Sequence, residues 1–263
     1  MDTGRLPADT LQAGDKKMNL LFLVYIVSSV SLAIGWALVL VLVIRYSDAK
    51  TCEGSKDFRE PPTLSIIIPT YNEELVIESK LNNVSMVDYP REKLEVIIVD
   101  GSSADKTRQL VEKFIEKNRD TLDIRLMVQD ERLGKASALN LALENCKGEI
   151  VILTDADVLW SPEAPRLLVA SLSDPMVGGV SSMEKVANKD KNFLTRLEKS
   201  YKSFYNNMRL AQSNIDSTPM CESELSAYKR YLLDKMPMNR MCDDMELALT
   251  VRAKGYRTIY NPE

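Results

Sequence analysis

The chain holds 263 residues with a formal net charge of −4, 27% of them charged and 6% aromatic, proportions that exclude a disordered chain and leave room for one α/β domain plus an appendage. The acidic balance speaks against a general nucleic-acid binder, which carries a basic patch or stripe. Histidine is absent, which excludes the Ser-His-Asp triad, the H-E-x-x-H zinc site and imidazole bases, and leaves carboxylates, lysines, hydroxyls and thiols for any chemistry.

Residues 1–17 read as an N-terminal tail that ends in Lys16 and Lys17. From Met18 to Ile44 no residue is charged, and Arg45 closes the run. A helix needs about 20 mostly apolar residues to cross the hydrocarbon core, so 18–45 is expected to be a transmembrane helix with snorkelling cations at both ends. Basic residues on both sides leave its orientation undecided by charge. Residues 46–62 are polar, end in Pro61-Pro62, and read as a linker. The four cysteines (Cys52, Cys146, Cys221 and Cys242) have neither C-x-x-C nor zinc spacing, and fit free thiols of a reducing compartment.

Leu64–Ile68 (LSIII) is rich in β-branched residues, as expected of a strand buried on both faces. It stops at Pro69, and PTYNEE leads into a helix expected over about Glu73–Val84. Glu95–Val99 is a second strand ending at Asp100, and GSSAD follows. Asp105 is placed as the N-cap of a helix carrying Leu110, Val111, Phe114 and Ile115 on one face. Ile124–Val128 is a third strand, followed by a helix in which Ala138, Leu141, Ala142 and Asn145 keep helical spacing. The fourth, Glu149–Thr154, ends at Asp155-Ala156-Asp157. Strands alternating with helices predict a mostly parallel sheet, whose ligands bind in the crevice beyond the carboxyl ends of the strands. Tyr71 to Glu74, Asp100, Asp155 and Asp157 all fall at that edge. Carboxylates that converge repel one another unless a cation joins them, and hard oxygens suit Mg²⁺ or Mn²⁺ bridging to substrate phosphates.

In this order, PTYNEE, VDGSSADKT, GKASALN and LTDAD resemble the motifs of inverting family 2 glycosyltransferases, from about Leu64 to the end of the chain. The resemblance implies an A-type glycosyltransferase fold: α/β, with a Rossmann-like, mostly parallel sheet over 63–263, preceded here by the one transmembrane helix. It implies a nucleoside diphosphate sugar as donor, a UDP-sugar by default, with Mg²⁺ or Mn²⁺ as cofactor. Carried over by position, Pro69, Tyr71 and Glu73 hold base and ribose, Asp100 contacts the nucleobase region, and Lys135 lies near the donor. Asp155 and Asp157 bind the metal that brackets the diphosphate. Gly101 stands where the family often has a second acid.

Further on, CDDMELALTVRAKGYRTIYNPE resembles the segment with the family's catalytic base; Asp244 aligns with that base and Asp243 with its neighbour. Cys221 to Arg230 resembles part of the acceptor site, with Cys221 and Glu222 where small residues are common. Phe193–Leu210 reads as an amphipathic helix whose stripe of Leu194, Leu197, Tyr201, Phe204, Tyr205 and Met208 is expected to pack on the domain, the alternative being an interfacial membrane helix. Processive relatives carry a Q-x-x-R-W motif and more membrane helices after the base. The chain stops at Glu263 with neither, so it is expected to be a fragment or a shorter enzyme making single transfers. The implied protein is a single-pass cell-membrane enzyme facing the cytoplasm, where sugar nucleotides are, with a lipid or glycan acceptor and no nucleic-acid partner. The alternative is a membrane subunit without turnover that binds nucleotide or a partner synthase.

Overall fold

The computed structural model describes residues 8–47, 60–183, 193–221, 224–238 and 243–262; the side chains of residues 8–19 and of Asp243 and Asp244 lie outside that description. Cys52, Cys242, Glu222 and most of the 46–62 linker also fall outside it. The chain divides into two compact units, Met1–Arg45 and Tyr46–Glu263.

The first unit is the helix α1 (Ala8–Tyr46). It begins ten residues before the expected span, because part of the tail (ADTLQAGDKK) is rich in helix formers and extending an existing helix is far cheaper than nucleating one. Leu20–Tyr46 is long and apolar enough to cross a membrane, and its large side chains are exposed around the helix.

In the second unit the described elements follow in the order β1 (Leu64–Thr70), α2 (Ile77–Ser85), β2 (Leu94–Asp100), α3 (Thr107–Asn118), β3 (Asp123–Val128), α4 (Lys135–Asn145), β4 (Ile150–Leu153), α5 (Ala164–Ser171), β5 (Val177–Ser182), α6 (Phe193–Ile215), β6 (Ser226–Lys229), α7 (Asp243–Ala253) and β7 (Arg257–Asn261). The strands form one sheet in the order β3-β2-β1-β4-β6-β5-β7. It is parallel throughout except at β6, which runs antiparallel to both of its neighbours.

Alternation along the strands builds a core on each face. Ile66, Ile68, Val96, Ile98 and Ile152 pack with Ile77 and Leu81 of α2, Val111 of α3 and Leu168 of α5. Ile67, Ile97, Val99, Val151 and Leu153 point the other way, onto Ala138, Leu139 and Ala142 of α4 and Leu247, Ala248 and Val251 of α7. The buried face of α4 therefore runs through Ala138, Leu139 and Ala142, while Asn145 is exposed. Leu110, Phe114 and Ile115 of α3 lie against the first core, as their spacing predicts.

Two expectations change. Helix α2 starts at Ile77 rather than near Glu73, because the N–H groups of Asn72, Glu73 and Glu74 bond side chains of the next loop instead of leading a helix. The N-terminal part of the α6 stripe does not pack on the domain: Leu194, Leu197, Tyr201 and Phe204 are exposed, whereas Tyr205 and Met208 are half-buried. The buried residues of that helix are Asn206, Arg209, Leu210, Ala211 and Ser213. Tertiary polar bonds of Asn206 and Ser213 to Tyr260, together with burial of Leu210 and Ala211, orient it.

Candidate active site

Helix α2, the β1–α2 loop and the loop after β4 form one unit. Ala156 is buried in the core, so its neighbours Asp155 and Asp157 flank an internal plug and sit at the cleft wall. Behind them Lys80 is fully buried, its Nζ donating to Thr154 Oγ1 at 2.6 Å and to the Val158 carbonyl at 2.6 Å, and lying 4.3 Å from the centre of the Trp160 ring. One turn later Asn83 exchanges hydrogen bonds with the backbone of Trp160, at 2.7 and 3.2 Å. Thr154 Oγ1 also donates to the Glu224 carbonyl at 2.8 Å, tying the same loop to the approach of β6. Burial drives the Lys80 ammonium down to about 7, and the charges of Asp155 and Asp157 oppose that only in part. Nothing in the helical periodicity of α2 distinguishes this lysine from a surface one, so sequence reasoning missed it.

The β1–α2 and β2–α3 loops are stitched together. Asn72 N–H donates to Ser103 Oγ at 2.9 Å, Glu73 N–H to Thr107 Oγ1 at 2.7 Å and Glu74 N–H to Asp105 Oδ2 at 3.0 Å. In return Ala104 N–H donates to Asn72 Oδ1 at 2.9 Å. Asn72 and Ser102 sit at φ 56° and 67°, a left-handed backbone that non-glycine residues hold only where the surroundings enforce it. The N-cap of α3 is Lys106 rather than the expected Asp105, which lies one residue earlier and accepts the Thr107 N–H at 2.9 Å within the loop. Asp100 is 1% exposed and its carboxylate accepts from the Ser103 N–H at 3.0 Å, so it supports this turn from below, while its neighbour Gly101 faces the cleft.

The cleft has a volume of about 380 Å³ and is lined by Pro69, Tyr71, Glu73, Lys135, Asp155 and Asp157 among others, bringing together six of the residues singled out by the motifs. Arg132, unforeseen, stacks its guanidinium 4.0 Å from the centre of the Tyr71 ring. The only signal for it in the chain is a cation three residues before Lys135. Gly134, at φ 86°, opens α4 with no side-chain cap, so the positive end of that helix lies at the cleft beside Lys135. Lys135 Nζ meets Asp155 Oδ1 at 2.7 Å, with about a third of each side chain exposed. A pair so accessible contributes at most about 1 kcal/mol, weak enough to exchange for a phosphate or a cation. Burial first, and then the charges of Asp157, Asp105 and Asp155, push the Glu73 carboxyl above its usual range. Gln129 donates from Nε2 to Ser137 Oγ at 2.8 Å, and its buried Oε1 has no hydrogen-bond partner among the described residues.

Among the described residues no three acidic or thiol side chains gather into a closed metal cage. The donor set is that of an open site: Asp155 and Asp157 supply hard oxygens, and their charge is felt at Glu73, a repulsion that a divalent cation relieves. The residues present fit a cation that is completed by substrate phosphates. Helix α7 opens at Asp243, where the motif places it; the side chains of Asp243 and Asp244 lie outside the described residues.

The chain matches a family model described as Glycosyl transferase family 2 over residues 65–236. It is 33% identical over 142 residues to the probable glycosyltransferase YdaM of Bacillus subtilis, covering 54% of this chain and 34% of that protein. It is 27% identical over 224 residues to poly-beta-1,6-N-acetyl-D-glucosamine synthase of Staphylococcus aureus, covering 83% of this chain and 52% of the synthase. The chain thus spans from a third to about half of the length of these relatives. Among solved structures it resembles mannosyltransferase PcManGT of Pyrobaculum calidifontis in complex with GDP-Man and Mn²⁺, at TM-score 0.73 and 37% identity, covering 84% of this chain and 60% of that one. The fold is also shared with S. aureus TarS 1–349, at TM-score 0.57 and 21% identity, covering 76% of this chain and 58% of that one.

Proposed function

The chain belongs to glycosyl transferase family 2, and from that premise we propose that it moves a sugar from a nucleoside diphosphate donor to an acceptor hydroxyl with inversion of configuration. The observation that carries this reading is the one cleft in which Tyr71 and Arg132, Lys135 at the start of α4, and the Asp155/Asp157 pair converge. Tyr71 under the Arg132 guanidinium gives a flat wall for the nucleoside. Lys135 and the N-terminal end of α4 offer positive charge to the diphosphate. Asp155 and Asp157 hold Mg²⁺ or Mn²⁺, which when bound supplies counter-charge to the departing diphosphate. Asp244, beside Asp243 and taken from the motif, accepts the proton of the acceptor hydroxyl as its oxygen bonds to the anomeric carbon and the glycosidic bond to phosphate breaks.

The donor is a UDP-sugar by default. Because the P. calidifontis enzyme holds GDP-Man, guanosine donors belong in the same screen. Helix α1 anchors the chain in the cell membrane, with the catalytic unit in the cytoplasm and a lipid or glycan acceptor. The test is donor hydrolysis by the full chain across a panel of UDP- and GDP-sugars with Mn²⁺. Turnover that disappears on chelation and in Asp157→Asn supports the reading; equal turnover in Asp155→Asn, Asp157→Asn and Asp244→Asn overturns it. Nucleotide binding with no turnover on any donor points instead to the non-catalytic subunit.

A further inference from the structure

Helix α6 is amphipathic in the opposite sense to a helix that completes a core. Its inner face is polar: Asn206 Oδ1 accepts from the Tyr260 hydroxyl at 2.7 Å, Ser213 Oγ accepts the Tyr260 N–H at 2.6 Å, and Arg209 donates to Gln212 Oε1 at 3.1 Å. All three polar residues are buried. Its outer face carries Phe193, Leu194, Leu197, Tyr201, Phe204 and Ile215, between 39% and 71% exposed. Positions 194, 197, 201 and 204 follow 3–4 spacing, so they form one stripe. Turning the helix to bury that stripe would strand Asn206 and Ser213, whose partner Tyr260 lies on β7, at a cost exceeding that of any single exposed side chain. The helix is therefore locked with its apolar side outward.

From Phe193 to Tyr205 no residue of α6 is buried. A helical stretch of this length is marginal in water without a surface to lie on, and a contiguous exposed apolar stripe marks such a surface. Beside the stripe, Arg196, Lys199 and Lys202 outnumber Glu198, although the whole chain is acidic at −4. Leu, Phe and Tyr on one side with a basic polar side is the composition of helices that lie in the headgroup layer of anionic membranes. A second copy meeting stripe to stripe would instead bring two basic flanks together.

We propose that the outer face of α6, Phe193 to Phe204, is a membrane-contact surface that lies in the headgroup layer of an anionic bilayer. The inference rests on the reading of α1 as a membrane span, which keeps a bilayer within reach and raises its effective concentration at α6. The site it adds is separate from the donor cleft.

The test uses the full chain in vesicles of phosphatidylglycerol and phosphatidylethanolamine, with the photoreactive residue p-benzoyl-phenylalanine placed singly at Leu197, at Tyr201, at Glu112 on the exposed side of α3, and at Leu38 in α1. Lipid adducts at Leu197 and Tyr201 several-fold above those at Glu112 support the proposal. A lower yield at Leu197 when Leu194→Glu and Phe204→Glu are added, at unchanged melting temperature, supports it further. Lipid adducts at Leu38 with only background at Leu197 and Tyr201, or with chain-to-chain adducts there, overturn it and leave the span standing. Background at Leu38 as well brings down the span and this inference together.

Discussion

At the scale of single residues, Lys80 shows how a charge is kept in a core. It is fully buried, and its cost is met by two 2.6 Å hydrogen bonds to the segment that carries the aspartate pair. Folded, it loses its proton at about 7, against an ordinary 10.5. Between those values the unfolded chain holds more protons, so stability rises with pH across that window. Lys80→Met should flatten this rise, measured as urea midpoints from pH 7 to pH 10, and should also loosen the loop that holds Asp155 and Asp157. Mn²⁺-dependent nucleotide binding should then weaken although Lys80 does not line the cleft. At the cleft itself, on the proposed metal site, Asp157→Asn would remove a hard anionic ligand, and donor hydrolysis should fall by about 100-fold or more, read as kcat/KM at saturating Mn²⁺. These two residues were unequally legible. The D-x-D pair declares itself because two acids follow a strand end. Lys80 sits in a polar stretch of α2 (IESKLNN), and only the contact of α2 with the loop after β4 puts it in the interior.

The elements carry a different kind of constraint. Five bonds involving side chains fasten β1–α2 to β2–α3, each contributing about 1 kcal/mol net. Thr107→Val deletes the acceptor of the Glu73 N–H and should cost about that much, with a larger loss in nucleotide binding than in stability because Glu73 and Tyr71 line the cleft. In β5, a Cβ on Gly178 would lie 2.5 Å from Leu232 Cδ1 and 2.7 Å from Val251 Cγ1. Gly178→Ala should therefore destabilise by about 1–3 kcal/mol through overpacking, seen as a lower melting temperature with the cleft residues intact. The strands β1 to β4 are legible as largely apolar runs, of which β2 and β4 lead into acids. The β5 run, VGGVSS, is two-thirds glycine and serine, and β6 and β7 are short and mixed; their pairing with β4 and with each other comes from contacts distant in sequence. Periodicity cannot report such pairings.

For the whole molecule, the division into Met1–Arg45 and Tyr46–Glu263 sets an expectation of independence. Residues 46–263 expressed alone should retain the nucleotide- and Mn²⁺-dependent rise in melting temperature of the full chain, measured in detergent to cover the α6 stripe; loss of that response would mean that α1 completes the fold. The ordering of strand, acid and helix along the chain determined the α/β class, the sheet edge at which ligands bind and most of the cleft-lining residues, because each is encoded in a window of ten or so residues. The apolar run likewise declared α1 by composition alone. What only the tertiary structure decided was direction and depth: that Asp100 turns beneath its loop, that Lys80 lies inside, that Arg132 covers Tyr71, and that α6 faces its apolar side away from the domain. A local pattern records which side chains share a face. Whether that face turns inward depends on the hydrogen bonds and packing that distant segments offer, here Tyr260 of β7 claiming the polar side of α6.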